Sequence, residues 1–270
     1  MTDSPKDASV SERGGAAALL LLYSVADGVA TLTLNRPEKR NALNGELVQM
    51  LKDGLARAEA DEEVRVVAIS GAGKDFCSGA DLAELARIAR MSEQENLEDA
   101  RSLAALFQQM RSHPKPIVAV VRGRALAGGC GLATACDLVL AHEGAEFGYP
   151  EVHLGFVPAL VMTILRRKMG EARAFELVVR GDRFDASTGR ELGLVNRVFG
   201  DEFDEEAKGY LRTLAKKPPS AVSLTKALLY ELDGLDFDAG LERAAEVNVE
   251  ARMTEACREG LRRFLDRPKG

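Results

Sequence analysis

KPIVAVVRGRALAGGCGLATACDLVLA, residues 115–141, decides the fold. An apolar run introduced by Pro114 and Pro116 is followed by a glycine cluster, a short helical stretch and a second apolar run. Runs without polar alternation suit strands covered on both faces, as in a parallel sheet with helices packed against it. Gly128 and Gly129 stand where the chain leaves a strand and opens a helix, and with no Cβ they allow backbone to approach closely.

The same grammar extends outward. VRVVAISG (64–71) is another buried strand ending in glycine. Before it, LLLYSV, the Asp27-Gly28 turn and VATLTLN form a β-hairpin that Pro37 ends. Leu47, Leu51 and Leu55 recur at helical spacing from Asn44, the expected N-cap, to Ala60. Residues 81–112 are rich in Ala, Leu, Glu and Arg and read as helix. Two helices around a turn are expected at 175–181 and 186–192, before LVNRVF. From Phe203 onward the chain reads as helix, interrupted at Pro218-Pro219 and near 233–238. Strands alternating with helices predict an α/β core followed by a helical C-terminal region. The division expected is a mobile tail at 1–14, a core at 15–202 that carries the site, and a C-terminal helical oligomerisation segment at 203–270.

Composition excludes several classes. At 270 residues, 46% hydrophobic, 29% charged and net charge −6, the chain is an ordinary globular one with no general attraction to phosphodiester backbones. Nucleic-acid and membrane partners are therefore not expected. Cys77, Cys130, Cys136 and Cys257 form no metal-like pairs, and the three histidines fall in no zinc frame, so no metal is expected. Free thiols fit a cytoplasmic protein. The apolar run 16–23 follows polar and acidic residues, and reads as the lead-in to the first strand, not as a secretory signal.

Candidate chemistry lies in the glycine-rich segments. GAGKDF (71–76) has the wrong spacing for a phosphate loop. Gly129-x-Gly131-x-x-Thr134 lacks the third glycine of a dinucleotide fingerprint and lies in the middle of the chain. Gly128 at a helix start and Gly79 in FCSGADL (76–82) could instead present two backbone N–H groups to one oxyanion, although two ordinary turns would have the same spacing. Glu151, in FGYPEVHLG (147–155), has aromatic and apolar neighbours that would raise its pKa and suit a general base; a solvated loop glutamate is the other reading. Cys77 and Cys130 have no neighbouring His and are read as packing, and Asp137 as a cap or turn into the next strand.

Taken together, LNRPEKRNALN (34–44), VVAISGAGKDFCSGADL (66–82), residues 115–141, FGYPEVHLGFVP (147–158) and ELGLVNRVF (191–199) resemble, in order, the crotonase (enoyl-CoA hydratase/isomerase) superfamily. That resemblance implies a spiral of ββα units with a helical C-terminal region that mediates trimers, often paired into hexamers. It implies acyl-CoA thioester substrates, coenzyme A being part of the substrate, with no further cofactor. The amides of Ala80 and Gly128 would hold the thioester oxygen, and Glu151 would serve as acid and base. Coenzyme A would meet Arg36, Lys39, Arg40, Ala42 and Leu43 on one segment and Ala80, Asp81 and Leu82 on the other, with Arg36, Lys39 and Arg40 as phosphate contacts.

One departure from the family pattern bears on the reaction. Two-glutamate hydratases carry a first glutamate where this chain has Gly131. With Glu151 alone, either isomerisation of a 3-enoyl-CoA or hydration of a 2-enoyl-CoA is open, Tyr149 or His153 being able to orient the water. Another reaction on the same oxyanion hole (thioester hydrolysis, decarboxylation or C–C bond chemistry) and an inactive CoA-ester-binding relative are the alternatives.

Overall fold

Asp27 and Gly28 both adopt positive φ, the geometry of a two-residue hairpin turn, and join β1 (Leu21–Ala26) to β2 (Val29–Leu34). Leu21 and Tyr23 point inward while Leu22 and Ser24 face solvent, the period-2 pattern of a sheet edge. The computed structural model describes residues 19–266; the tail expected at 1–14 lies outside them. Asn44 caps α1 (Gly45–Ala60) by accepting the Leu47 N–H, as its position before the leucine repeat predicts.

β3 (Val66–Gly71) is followed by α2 (Leu82–Ile88) and α3 (Glu93–Ser112). The helical region expected over 81–112 is divided into two helices, because Ser92 forms a capping box with Glu95 and starts a new one. Next come β4 (Ile117–Val121), β5 (Arg124–Leu126), α4 (Gly128–Ala135), β6 (Leu138–His142) and β7 (Glu146–Gly148). A 3-10 turn, Pro150–Leu154, leads to α5 (Ala159–Met169), α6 (Glu171–Arg180), β8 (Arg183–Asp185), α7 (Ala186–Glu191) and β9 (Arg197–Phe199). The chain closes with α8 (Phe203–Ala215), α9 (Pro219–Glu231), α10 (Phe237–Met253) and α11 (Glu255–Leu265).

The main sheet has six strands in the order β1-β2-β3-β4-β6-β9, parallel except for the β1/β2 hairpin. Its central strands are covered on both faces. In β3, Val67 and Ile69 join the large core cluster, whereas Val66 and Ala68 pack under Ala207 and Leu211 of α8. β5, β7 and β8 form a second, three-stranded sheet that sequence reading did not separate, since each strand has only three residues.

Asp137 does more than turn the chain. Its carboxylate accepts the Ile117 N–H at 2.7 Å, the Lys226 Nζ at 2.7 Å and the Tyr230 hydroxyl at 2.7 Å. Lys226, buried on α9, also donates to the Met110 and Lys115 carbonyls. One ion pair thus fastens the C-terminal helices to the end of α4. Lys226→Ala should lower stability by about 3 kcal/mol, because a largely covered carboxylate loses the buried cation that balances it. Urea unfolding of the variant measures it; a change within about 0.5 kcal/mol, as for an ordinary surface site, would disprove the fastening.

Candidate active site

Leu43 lies alongside Ala80 in an isolated parallel bridge. The Leu43 N–H donates to the Gly79 carbonyl at 2.7 Å, and the Asp81 N–H to the Leu43 carbonyl at 3.0 Å. This pairing turns the Ala80 N–H away from Leu43, and it meets no acceptor among the described residues. Gly79 makes the arrangement possible. It has φ +102, and a Cβ there would stand 2.9 Å from the Ala127 Cβ and 3.6 Å from the Gly128 nitrogen. The segment carrying Ala80 therefore lies directly against the start of α4.

Gly128 is the first residue of α4, so its N–H has no partner within the helix. Ala127 before it takes φ 49 and ψ −127, a conformation that an L residue holds at a cost of about 1–3 kcal/mol when its surroundings impose it. Gly129 seals the contact: a Cβ at this position would be 2.2 Å from the Cys77 carbonyl oxygen. Cys77 and Cys130, beside the two donors, are fully buried, and burial pushes both thiols up to about 12, so they stay protonated packing groups.

The second sheet places the carboxylate. Gly148, at the end of β7, accepts the Ala127 N–H at 2.8 Å, which ties the segment leading to Glu151 to the residue before Gly128. Glu151 follows on the 3-10 turn. Its Oε2 is buried with no hydrogen-bond partner among the described residues, and desolvation raises its pKa above the usual glutamate value. Gly131, on the first turn of α4, is walled by apolar groups: a Cβ there would lie 3.7 Å from Phe107 Cζ and 3.8 Å from Val161.

Several expected contacts are corrected. Arg36 is only 5% exposed, so it is not a surface phosphate contact; it donates to the Ala42 carbonyl and to Asp81 Oδ2, each at 2.5 Å. Asp81 is likewise spent. It caps α2 through the Ala83 N–H and receives Arg36 and Lys39, and these bonds hold its pKa down to about 2. Ala42 and Leu43 are buried, whereas Lys39, Arg40 and Ala80 are exposed; Leu82 opens α2. Tyr149 is not placed to orient water: its fully buried hydroxyl lies 2.6 Å from that of Thr134 on α4 and donates to the Cys130 carbonyl at 3.4 Å. His153 is exposed and packs against Gly181.

Sequence reading missed Asn41, fully buried at φ 56. It accepts the Arg36 N–H and donates to the Ala72 and Asp75 carbonyls. An Asn in the left-handed region is the available signal, but a sequence shows no φ.

The chain is similar to known proteins over most of its length. The family model described as enoyl-CoA hydratase/isomerase matches residues 24–270. A Thermus thermophilus protein provisionally named enoyl-CoA hydratase is 44% identical over 240 residues, 88% of this chain and 95% of its own. The 2,3-dehydroadipyl-CoA hydratase of Escherichia coli is 34% identical over 249 residues, 92% of this chain and 96% of its own. The crystal structure of enoyl-CoA hydratase from Mycobacterium smegmatis matches with a TM-score of 0.87 at 32% identity, covering 93% of this chain and 98% of that one.

Proposed function

The chain belongs to the enoyl-CoA hydratase/isomerase family, and from that premise we propose that it converts a 3-enoyl-CoA to the 2-enoyl-CoA with Glu151 as the only proton carrier. The observation that carries this reading is the pair of environments on either side of the site. A buried carboxylate oxygen of Glu151 stands without a partner among the described residues, while the place of a second carboxylate is taken by Gly131 between Phe107 and Val161.

In this mechanism the thioester oxygen accepts the N–H groups of Ala80 and Gly128. The Glu151 carboxylate removes a proton from C2, and the C–H electron pair moves into the enolate, whose negative oxygen the two amides stabilise. Glu151, now a carboxylic acid, returns the proton at C4 as the enolate electrons form the C2=C3 bond. One group makes both transfers, and no water has to be held. Lys39 and Arg40, exposed on the segment that pairs with Ala80, are the cations proposed to meet the coenzyme A phosphates. No separate cofactor takes part.

Hydration of a 2-enoyl-CoA is the second reading, favoured by the names of the curated relatives. There Glu151 would take the proton of a water attacking C3 and deliver it to C2. Crotonyl-CoA and a 3-enoyl-CoA offered to the purified protein separate the two. A rise in conjugated-thioester absorbance from the 3-enoyl substrate at constant mass supports isomerisation. Loss of that absorbance from crotonyl-CoA with the mass of water gained overturns it in favour of hydration, and no change with either overturns both.

The large apolar side chains exposed on α10 and α11, including Phe237 and Phe264, support self-association through the C-terminal helices as a trimer or a dimer of trimers. Among the described residues no helix is long and apolar enough to cross a membrane.

A further inference from the structure

We propose that Arg36 is a positioning residue for the Ala80 amide, acting through its ion pair with Asp81. The proposal rests on the reading of Ala80 and Gly128 as the donors to the thioester oxygen. The bridge between Leu43 and Ala80 consists of two backbone hydrogen bonds, and a third, from the Ser78 N–H to the Arg40 carbonyl at 3.0 Å, joins the same segments before it; among the described residues no backbone bond between them beyond Asp81 fixes the far end of the pairing. Arg36 braces both sides of it. One guanidinium nitrogen donates to the carbonyl of Ala42, the residue before Leu43; another donates to the carboxylate of Asp81, the residue after Ala80. Asn41 fixes the Arg36 backbone by accepting its N–H at 2.9 Å. A planar fork with both ends engaged sets a distance and an angle, which a single flexible ammonium does not. Lys39 touches the same Asp81 oxygen at 3.0 Å, but its side chain is half exposed and solvent screens the pair.

The direction of the Ala80 N–H thus follows from the brace. Without it the amide still exists and the thioester still binds, but the donor is mis-aimed at an oxygen that becomes negative only during reaction. Misplacement on the order of 1 Å far from the reacting atoms can lower a rate about 10²-fold.

The test uses Arg36→Met, Arg36→Lys and Asp81→Asn in the full chain, with cinnamoyl-CoA as a spectroscopic probe and the preferred enoyl-CoA as substrate. Hydrogen bonds to the probe's carbonyl polarise its conjugated system and shift its absorption to the red. Arg36→Met and Asp81→Asn should lower kcat about 10- to 100-fold with KM nearly unchanged, and shrink the red shift of the bound probe. Arg36→Lys should recover part of both. Asp81→Asn keeps an oxygen for the Ala83 N–H, so it carries the test if Arg36→Met fails to fold. Full kcat and an undiminished red shift in a folded variant would overturn the proposal. A bound probe with no red shift in the wild type would overturn the donor assignment itself, and the brace with it.

Discussion

Glu151→Gln should reduce turnover roughly 10³- to 10⁴-fold while thioester binding persists, since general acid–base catalysis contributes about 10²–10⁴ per group and here one group makes both transfers. Glutamine keeps the shape of the side chain but neither takes nor gives the proton. Steady-state rates with isothermal binding of the substrate check both halves. A variant retaining more than about a tenth of the activity would remove Glu151 from the chemistry, because the loss would then fall short of the smallest general acid–base contribution.

Desolvation adds a pH signature. The raised pKa places the acid limb of kcat/KM above the usual glutamate value of 4.5, with activity lost as pH falls through it, because the base must be ionised. Stability runs the other way. The folded state holds this proton more tightly than the unfolded chain, so folding is weakened as pH rises from the unfolded value through the raised one. Glu151→Gln should therefore melt at a higher temperature than the wild type at neutral pH and lose that advantage below about pH 4.

The second large effect lies within α4. Gly129→Ala puts a Cβ onto the Cys77 backbone, with 2.2 Å to its oxygen and 2.7 Å to its carbonyl carbon. Neither atom belongs to a side chain that can swing aside, so the helix must move off the Cys77–Ala80 segment and separate the two amide donors. Activity should vanish, and stability should fall by about 3 kcal/mol, at the upper end for an overpacked core. Gly131→Ala, two residues along the same helix, meets only ordinary contacts with Phe107 and Val161 and should be tolerated, with up to about 1 kcal/mol gained from helix propensity. Urea midpoints of the two variants measured side by side test the contrast. Equal losses would mean that the apposition of Gly129 and Cys77 does not govern this helix.

The alternation of buried strands and helices is readable because fully covered runs such as VVAI leave no polar position, and caps such as Asn44 leave a local mark. Gly79 and Gly128 stand out in the sequence because a tight turn and a helix start leave a local mark in residue type, and Glu151 because its neighbours are aromatic and apolar. What escaped the sequence depends on distant partners. Arg36 looks like a surface cation until Asp81, 45 residues away, is seen to accept it. Tyr149 looks like a group that faces water until Thr134 is found at its hydroxyl. Asp137 looks like a turn former because its lysine and tyrosine partners lie on a helix far along the chain. The short strands of the second sheet have no periodicity to read.

Asp137 also sets a clock. During synthesis its carboxylate is made 89 residues before Lys226. At ~5–20 residues per second the nascent chain waits roughly 4–18 s for that cation. Through this interval the carboxylate at the end of α4 lacks its cationic partner. The growing polypeptide closes this ion pair only when α9 arrives, after every strand of both sheets has been made.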